Sequence, residues 1–547
     1  MKMKKLVNLS LLILVGFIIV YFSFPVIAYG FWGLPFMLTI LLILWIVMGF
    51  PILNQSNPAQ IVNQVKKNNL KIPLTIIVIL LLYMTIVPMV TSWALFRNKD
   101  YRNLIGNVEI GENLSVHMAP ISIEKIRIVD QKLANLLGDK VLGAQPALGS
   151  QVRLGTFNIQ KVRNELYWVA PLLHSGFFMW QKNSKGTNGY VMVNATNERD
   201  VKLVQEVNGH KVLVRYQSEG FLFDNLERYL YFKGYFNIGL TDYTFEIDDD
   251  GNPYWVVTLY KKKVGFYGDE AVGVAVVNTE TGETKDYSIA EAPAWVDRIQ
   301  PEQFVEYQLN DWGKYVKGFW NFSNEDKLQI TEKVSLVYGE DNKSYWYTGL
   351  TSVGADEATV GFVLVDTRTK KAVWYKQSGA TEFAAKNSAI GKIQEKRYSA
   401  SAPIPYNING IPTYVMTLKD DGGLVKMFAM VAIEDYTIVG VGNTLRETLM
   451  AYKNAFNMTG NKLNAKNSAQ KVSISSVVTR INSDVKNGNS FYYFTIKDRE
   501  SIFIGSSQIS NELPVSSVGD SIEINFDSDT QGIIDISSFK NHSLLKK

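Results

Sequence analysis

Three uncharged apolar stretches occupy the first hundred residues of this 547-residue chain and limit what it can fold into. They cover residues 6–28, 31–53 and 72–93. Each has about the 20 residues that a helix needs to cross roughly 30 Å of bilayer hydrocarbon. The first is too long for the apolar core of a signal peptide and has no clear cleavage site. The sequence therefore predicts a membrane anchor of three transmembrane helices over residues 1–100.

Flanking cations predict how this anchor is oriented. The cations on the predicted cytoplasmic side are Lys2, Lys4, Lys5, Lys66, Lys67 and Lys71, and those on the other side are Arg97, Lys99 and Arg102. Because cytoplasmic loops carry the excess of Lys and Arg, the N-terminus is expected in the cytoplasm. The chain after residue 102 would then be an ectodomain of a three-pass cell-membrane protein. The absence of cysteine excludes disulfides and thiolate chemistry.

A repeated pattern organises the rest of the chain. Tyr-Trp pairs occur at residues 167–168, 254–255 and 345–346, and "TYVMTL" places Tyr414 in the same role. Each is followed by a run of β-branched and apolar residues, as in paired strands. A helical pattern precedes each pair, starting at Asp130, Phe221, Pro301 and Thr381, and Gly138 is expected to stop the first helix. The predicted unit is helix, strand, strand, written four times.

These patterns predict an α+β protein with small antiparallel sheets. The expected units cover residues 101–220, 221–300, 301–380 and 381–457, and the last ends in a helix that opens with a capping box at Thr444. Residues 458–470 are rich in Asn, Lys, Gly and Ser and are expected to be a linker. Five short strand candidates follow, and they predict a small β-barrel of OB-like or SH3-like type over residues 471–547.

Short phrases at the strand ends carry a family resemblance. They are "GNPYWVV" at residues 251–257, "VVNTETGE" from Val276, "LVDTRTKK" from Leu364 and "NGIPTYV" from Asn409. A helix followed by strands with such phrases resembles the PepSY-type unit, over about residues 120–457, although the first and last copies lack the threonine turn. The resemblance implies a regulator or inhibitor of envelope enzymes, such as a peptidase.

The residues give little sign of catalysis. The four histidines are scattered without metal-ligand spacing, and no serine-nucleophile elbow or phosphate-binding loop occurs. Asp248 and Asp250 in "EIDDDGNP" form a weak calcium candidate, since oxygen-rich loops can hold this ion, but a hairpin turn explains them equally. We therefore expect no cofactor, no metal and no enzyme activity.

Several aromatic and charged residues are candidates for binding. Trp295, Asp297 and Arg298 could form a ligand clamp or a buried salt bridge between units. Trp255 and Trp346 could form an aromatic platform for glycan or peptide, with packing as the alternative. The net charge is only +4, and no strong basic cluster indicates a nucleic-acid partner.

The function that these patterns favour is a non-catalytic, membrane-anchored scaffold or partner-binding protein outside the cytoplasm. A PepSY-like regulator of an envelope peptidase is the first alternative. An enzyme acting on wall glycan or peptide is the second, because the separation of paired carboxylates is set by the fold and not by sequence spacing. The expected partners are the membrane and an envelope protein. The ligand, the oligomeric state and the biological process stay open.

Overall fold

The computed structural model describes residues 2–49, 70–112, 114, 118, 121–339, 343–354, 358–458, 471–486, 489–507, 509–527 and 533–544. The predicted cytoplasmic cations Lys66 and Lys67 and residues 459–470 of the predicted linker lie outside these ranges. The fold mixes helices with small antiparallel sheets, which is the predicted α+β class. Two compact units are present, residues 1–408 with 412–455 and residues 409–411 with 456–547.

The N-terminal region is helical. Its helices are Lys2–Ser23 (α1), Gly33–Gly49 (α2), Lys71–Ser92 (α3) and Ala94–Arg102 (α4). Within the described residues, α3 is the one helix that is long and apolar enough to cross a membrane. The apolar stretches of α1 and α2 are shorter, Val7–Ser23 and Gly33–Met48. The structure thus has one clear candidate span where the sequence predicts three.

The remaining elements alternate short helices with strands. The helices are Gln131–Gly143 (α5), Pro146–Gly149 (α6), Phe177–Lys182 (α7), Leu226–Lys233 (α8), Glu302–Lys314 (α9), Glu382–Gly391 (α10) and Leu445–Met458 (α11). The first ten strands are Val108–Gly111 (β1), Val152–Leu154 (β2), Asn158–Val162 (β3), Glu165–His174 (β4), Thr187–Asn188 (β5), Tyr190–Asn194 (β6), Val201–Val204 (β7), Glu206–Val207 (β8), His210–Lys211 (β9) and Leu213–Val214 (β10). The next twelve are Gly239–Ile247 (β11), Pro253–Val264 (β12), Tyr267–Asn278 (β13), Thr284–Ser288 (β14), Leu328–Ile330 (β15), Ser335–Tyr338 (β16), Ser344–Ser352 (β17), Ala358–Thr359 (β18), Gly361–Asp366 (β19), Ala372–Tyr375 (β20), Gly379–Ala380 (β21) and Ser399–Ala400 (β22). The last nine are Ile404–Ile408 (β23), Ile411–Lys419 (β24), Val425–Ala432 (β25), Val439–Gly442 (β26), Lys471–Lys486 (β27), Asn489–Ile496 (β28), Ile502–Ser506 (β29), Ser521–Asp527 (β30) and Ile533–Asn541 (β31).

Four antiparallel sheets follow α5, α8, α9 and α10 in turn, and we call each helix with its sheet a unit. The strand orders are β2-β4-β6-β7 with β3 on β4, β11-β12-β13-β14, β20-β19-β17-β15 with β16 on β17, and β22-β24-β25-β26 with β23 on β24. The repeat is therefore a helix with a sheet of at least four strands, larger than the predicted helix and two strands. The Tyr-Trp pairs lie on β4, β12 and β17, each of which has strands on both sides.

The predicted start of the first unit at residue 101 needs correction. Strand β1 pairs in parallel with β20, with Val108 opposite Ala372, so this stretch extends the sheet of the third unit. Beyond it, Leu114 and Met118 lie in the core shared by the third and fourth units. The chain thus crosses two later units before the first begins, which the order of residues along the sequence did not reveal.

One hydrogen-bond arrangement recurs in all four units, and we call it the clasp. The clasp residues are Val129, Tyr216, Gln300 and Ala380, each on the N-terminal side of its unit's helix. Their backbone N–H groups donate to the carbonyls of Ala195, Thr279, Thr367 and Ile433, which follow the central hairpin, at 3.0, 3.0, 2.8 and 2.7 Å. Their own carbonyls accept from the indoles of Trp168, Trp255 and Trp346 at 2.8, 2.7 and 2.9 Å, and from the Tyr414 hydroxyl at 3.4 Å. The clasp therefore ties the start of each helix to its sheet.

The prediction that Tyr414 is equivalent to the tyrosines of the other pairs was wrong by one residue. Trp346 lies opposite Val365 on the next strand, and Tyr414 lies opposite Val431, which is the matching position of the fourth unit. Thr413 takes the position of the preceding tyrosine. Since the tyrosine hydroxyl is also a donor, Tyr414 replaces the tryptophans and not the tyrosines.

The two faces of each sheet belong to different cores. Trp168 and Trp346 share one core with Leu133 of α5 and Val305 of α9, so this core joins the first and third units. Tyr167 packs against a second core, which joins the first and second units. A third core joins the third and fourth units. Because adjacent strand residues face opposite sides, each pair serves a core on either face of its sheet.

The helix ends follow from capping residues, with one correction. Asp130, Asn225 and Thr381 cap α5, α8 and α10 by accepting a backbone N–H through the side chain. Gly138, however, does not stop the first helix, which continues to Gly143. A Cβ at Gly138 would lie 2.8 Å from Phe157 Cζ, so the glycine is needed for this close contact and not for termination.

The second compact unit contains five strands with their own core. Each strand is bonded to two others in the order β27-β28-β29-β31-β30 and back to β27, and the sheet closes. The 16-residue β27 achieves this by pairing with β30 through its first half and with β28 through its second. The interior contains Phe494, Phe503 and Ile524.

The clasp predicts a specific stability loss. Trp346→Phe should lower the free energy of unfolding by about 1–3 kcal/mol, because the buried Gln300 carbonyl loses its donor, with a further loss from the smaller ring. Tyr414→Phe, which removes only a hydroxyl, should cost about 1 kcal/mol. Trp320→Phe is the matched control, since Trp320 is 69% exposed. Denaturant unfolding of the full chain in micelles, followed by circular dichroism, measures all three, and equal losses for Trp346 and Trp320 would contradict the clasp.

Candidate functional site

The segment from Trp295 to Arg298 connects the second unit to the third and contains the predicted clamp. Trp295 stacks on Tyr254, with ring centroids 5.1 Å apart and planes inclined by 28°. The stack belongs to a small core beneath β14 and the connecting segment. Trp295 is half-buried there, so it fixes the path of the segment.

Asp297 bonds to the first and third units. Its Oδ2 accepts the backbone N–H of Lys161 at 2.7 Å and the hydroxyl of Tyr338 at 3.3 Å. Its backbone carbonyl accepts from the hydroxyls of Ser344 and Thr367. Burial raises the pKa of Asp297, and the N–H of Lys161 opposes that shift. Asp297 is therefore a junction residue where three units meet.

Arg298 lies half-buried in the same junction, and two of its nitrogen atoms are inaccessible to solvent. Neither its Nε nor its Nη2 has a hydrogen-bond partner. Burial disfavours the charge, but Glu246 and Asp242 outweigh this effect and the pKa of Arg298 is raised. Buried guanidinium nitrogens are normally hydrogen-bonded, so these two atoms are exceptions to that rule.

Glu246 of β11 is the acidic group that faces Arg298. It is fully buried, its Oε1 accepts from the Thr244 hydroxyl at 2.8 Å, and its Oε2 has no partner. Burial raises the pKa of Glu246 to about 8, with Arg298 lowering it and Asp297 raising it further. The raised pKa keeps this carboxyl protonated to a higher pH than that of an exposed glutamate.

Together these residues form a polar cluster at the meeting point of the first three units, which we call the junction cluster. Its members are Asp242, Glu246, Asp297, Arg298 and Tyr338. Within this cluster Glu246 has no exposed surface, Asp297, Arg298 and Tyr338 are half-buried, and Asp242 is exposed. The arrangement suits the interpretation of a junction between units, although Arg298 makes its contacts across space and not through direct hydrogen bonds from Nε or Nη2.

The other predicted binding residues lie in the interior. Trp255 and Trp346 are each 5% exposed, and both indoles are used in the clasp. An aromatic platform for glycan needs an exposed ring face, which neither offers. Packing accounts for both rings.

The acidic segment forms a hairpin turn between β11 and β12. Asp248 Oδ1 accepts the backbone N–H groups of Asp250 and Asn252 at 3.0 and 2.8 Å, and its Oδ2 accepts the Asn252 amide. The exposed Asp250 lies 3.8 Å from the Arg163 guanidinium. Within the described residues, no three His, Asp or Glu side chains converge as a metal site would require.

An open groove of about 450 Å³ lies beside α8 and was not anticipated from the sequence. Its lining includes Lys233, Tyr235, Lys261 and Asp286. The Lys233 amine donates to the Gly282 carbonyl and the Thr284 hydroxyl, and the Tyr235 hydroxyl bonds to Asp286. Lys233, Tyr235 and Asp286 are therefore engaged in hydrogen bonds within the protein.

Comparison with known proteins adds no assignment. No protein-family model matches the chain, and a search among curated proteins gives no match. Function must therefore be inferred from the residues themselves.

The junction cluster predicts a pH dependence. Because the pKa of Glu246 is raised from 4.5 to about 8, its contribution to stability is complete below pH 4.5 and is lost as the pH rises through 8. Glu246→Gln, which mimics the protonated acid, should make this decline shallower and stabilise the protein at pH 8 by up to a few kcal/mol. Glu198→Gln in an exposed turn is the control. Unfolding free energies measured from pH 4 to 9 test this, and an unchanged slope in Glu246→Gln would contradict it.

Proposed function

We propose that the chain is a membrane-anchored, non-catalytic scaffold whose repeated units lie outside the cytoplasm and bind an envelope protein. Helices α1, α2 and α3 would all cross the bilayer, with the N-terminus inside. The single observation that carries the proposal is the docking of the second unit on the ends of these helices, through Phe266.

The surfaces of the N-terminal helices support a bilayer around them. Large apolar side chains are exposed along all three, including Ile13, Phe22, Phe36, Trp45, Ile72 and Met89 at 64, 69, 59, 41, 66 and 62%. Helix α2 packs against both α1 and α3. An exposed apolar surface of this extent is unfavourable in water and marks a contact with lipid or protein. A bundle of three short helices, each apolar on its outer face, fits the hydrocarbon region.

Phe266 locks the second unit to this bundle. It lies at the tip of the hairpin between β12 and β13 and has no exposed surface. Its ring lies 5.7, 5.1 and 5.8 Å from the rings of Tyr29, Trp32 and Tyr83, and its backbone N–H donates to the Ser92 hydroxyl at 2.8 Å. An aromatic plug with satisfied backbone groups is a rigid joint, since it leaves no polar group free to exchange with water.

Shared cores extend this joint to the other units. The first unit shares a core with the second, the third with the first, and the fourth with the third. The four units therefore form one connected body on the helices. A rigid body with no assembled catalytic groups in its described part is suited to holding a partner at a fixed place above the membrane.

The C-terminal unit supports the same role. We assign it to the OB-like class and not to the SH3-like class, because β27 pairs with both β28 and β30 and because β29 and β31 are parallel. OB-like barrels bind through the face of their second and third strands. In this chain Tyr492 of β28 packs against the barrel core, and the next residue, Tyr493, lies on the opposite side of the strand.

A PepSY-like regulator of an envelope peptidase is the second candidate. Its support is the fourfold recurrence of a helix followed by an antiparallel sheet, which is the unit that the sequence phrases resemble. The two candidates differ in the partner. Purification of the full chain from crosslinked membranes, followed by an assay of the co-purified protein, separates them: a peptidase that the chain inhibits indicates regulation, and a structural envelope protein indicates scaffolding.

The topology is directly testable. External protease applied to intact cells should degrade the chain after residue 102 and leave a tag inserted between Lys66 and Lys71 intact, because only the former would be outside. The same tag should be lost after lysis, which controls for protease activity. If the region after residue 102 survives in intact cells and is cut only after lysis, the proposed orientation is wrong.

The non-catalytic assignment predicts the outcome of alanine substitutions. Asp248→Ala and Asp250→Ala should complement a deletion strain fully, since both residues serve a surface turn. Asp297→Ala should reduce protein abundance, because it leaves the Lys161 N–H and the Tyr338 hydroxyl without their acceptor at a cost of about 1–3 kcal/mol. Arg298→Ala should act in the same direction, because it removes the positive charge that favours the ionised forms of Glu246 and Asp297. Complementation and immunoblotting together check this. A variant of normal abundance and no activity would place a catalytic group at that residue.

A further inference from the structure

Two of the four units carry insertions, and these lie at different places in the fold. In the first, third and fourth units the clasp residue directly precedes the helix N-cap, at Asp130, Pro301 and Thr381. In the second unit, eight residues, 217–224, separate Tyr216 from the N-cap Asn225. They contain the sequence Phe221-Leu222-Phe223.

The first unit has its own insertion, between the two central strands of its sheet. Strands β12 and β13 of the second unit are joined by residues 265–266 alone. The matching strands β4 and β6 are joined by residues 175–189, which include α7 with Phe177 and Phe178. Insertions between elements of unchanged geometry are places where a fold gains function.

The two insertions pack against each other. The ring of Phe221 lies 5.2 Å from that of Phe177 and 5.6 Å from that of Trp180. The Trp180 indole donates to Asp224 Oδ2 at 3.0 Å. Segments from two different units thus build one surface, the aromatic wedge, which consists of Phe177, Phe178, Phe221, Leu222 and Phe223.

The wedge presents apolar side chains outward. Phe178, Leu222 and Phe223 are 76, 57 and 53% exposed. Leu222 adopts φ +50°, a conformation that non-glycine residues rarely take. Its carbonyl is held by the guanidinium of Arg228 at 2.7 Å. The backbone is therefore fixed in a strained conformation that exposes the Leu222 side chain. This exposure costs free energy unless the side chain contacts an apolar environment.

The wedge is continuous with the first helix of the proposed anchor. The ring of Phe223 meets that of Tyr21 edge-on at 6.2 Å, and Phe232 of α8 lies 6.5 Å from Phe17. Phe17 is six residues before Ser23, the end of α1, which corresponds to about 9 Å along the helix. If α1 crosses the bilayer, α8 and the wedge lie at the depth of its last turns.

Cations are placed where lipid headgroups would meet them. The Arg228 guanidinium lies 4.0 Å from the ring centroid of Tyr21, at the end of α1. Lys182 and Lys185 are exposed directly after the aromatic residues of α7. Exposed cationic side chains beside exposed apolar ones are typical of an interfacial segment, in which the cations can reach phosphate groups.

We propose that the aromatic wedge is a second, monotopic membrane contact that inserts into the outer leaflet of the bilayer beside α1. Its occupant is lipid: the acyl boundary receives Phe178, Leu222 and Phe223, to a depth of about 5–10 Å. The inference rests on the proposed anchor, because it places the wedge by reference to α1. Its consequence is that the first two units are held against the membrane at two points, which fixes their tilt.

Single cysteines test the wedge cleanly, since the natural chain has none. The full chain carrying Leu222→Cys or Phe178→Cys is labelled with an environment-sensitive fluorophore and reconstituted into phosphatidylcholine–phosphatidylglycerol nanodiscs with nitroxide-labelled acyl chains. Ile13→Cys in the middle of α1 is the positive control, and Phe383→Cys, 54% exposed on α10, is the matched exposed control. Quenching at Leu222 and Phe178 should exceed that at Phe383 by about threefold or more, as expected for probes at the acyl boundary.

The outcomes separate the wedge from the anchor. Quenching at Ile13 and at both wedge positions supports the proposal. If Ile13 is quenched but the two wedge positions are quenched no more than Phe383, the wedge proposal is overturned and the anchor proposal stands. The wedge surface would then be covered by water or by a protein. Failure at Ile13 as well overturns both. Circular dichroism of each labelled protein shows whether the fold is retained, and Phe223→Asp in the Leu222→Cys background should lower quenching there if lipid is the cause.

Discussion

The clasp between each helix and its sheet is the interaction on which the four units depend. A chain that leaves a sheet and enters a helix buries a backbone N–H and a carbonyl that neither element satisfies. Here the N–H donates across the sheet end and the carbonyl accepts from an indole, so that Gln300, for example, is satisfied by Thr367 and Trp346. An indole donates one hydrogen bond through its N–H and has no acceptor atom. It therefore suits the clasp, where a second acceptor would be left without a donor.

Because the clasp is repeated in all four units, the units differ from one another in the segments that connect their helices and strands. The hairpin tip at Phe266 joins the second unit to the N-terminal helices, and the insertions at 175–189 and 217–224 form the wedge. The junction cluster around Arg298 lies where three units meet and includes neither the hairpin tip nor the two insertions. Structure and proposed function thus divide the chain into a repeated interior and surfaces that differ from unit to unit.

Much of the fold could be predicted from local pattern, and the remainder could not for identifiable reasons. The recurrence of Tyr-Trp predicted the repeated strands, and the predicted helix starts at Asp130, Pro301 and Thr381 coincide with observed N-caps, because both signals are local. Gly138 was misassigned because its contact with Phe157 is set by tertiary packing. Glu246 follows the buried Phe245 on β11, so the alternation of side chains along a strand predicts that it faces solvent. The connecting segment at Asp297, however, covers that face of the sheet. The wedge needed spatial knowledge, since its two halves are about forty residues apart in sequence.

Hydrogen exchange in the full chain tests the clasp most directly. The residues around Val129, Tyr216, Gln300 and Ala380 connect strands to helices, and amides in such connections ordinarily exchange quickly. In bilayer nanodiscs these amides should exchange as slowly as those of the central strands β4, β12, β17 and β24, because each is bonded across the sheet end. Exchange at the rate of exposed loops in two or more of the four units would contradict the clasp as the element that holds the units together.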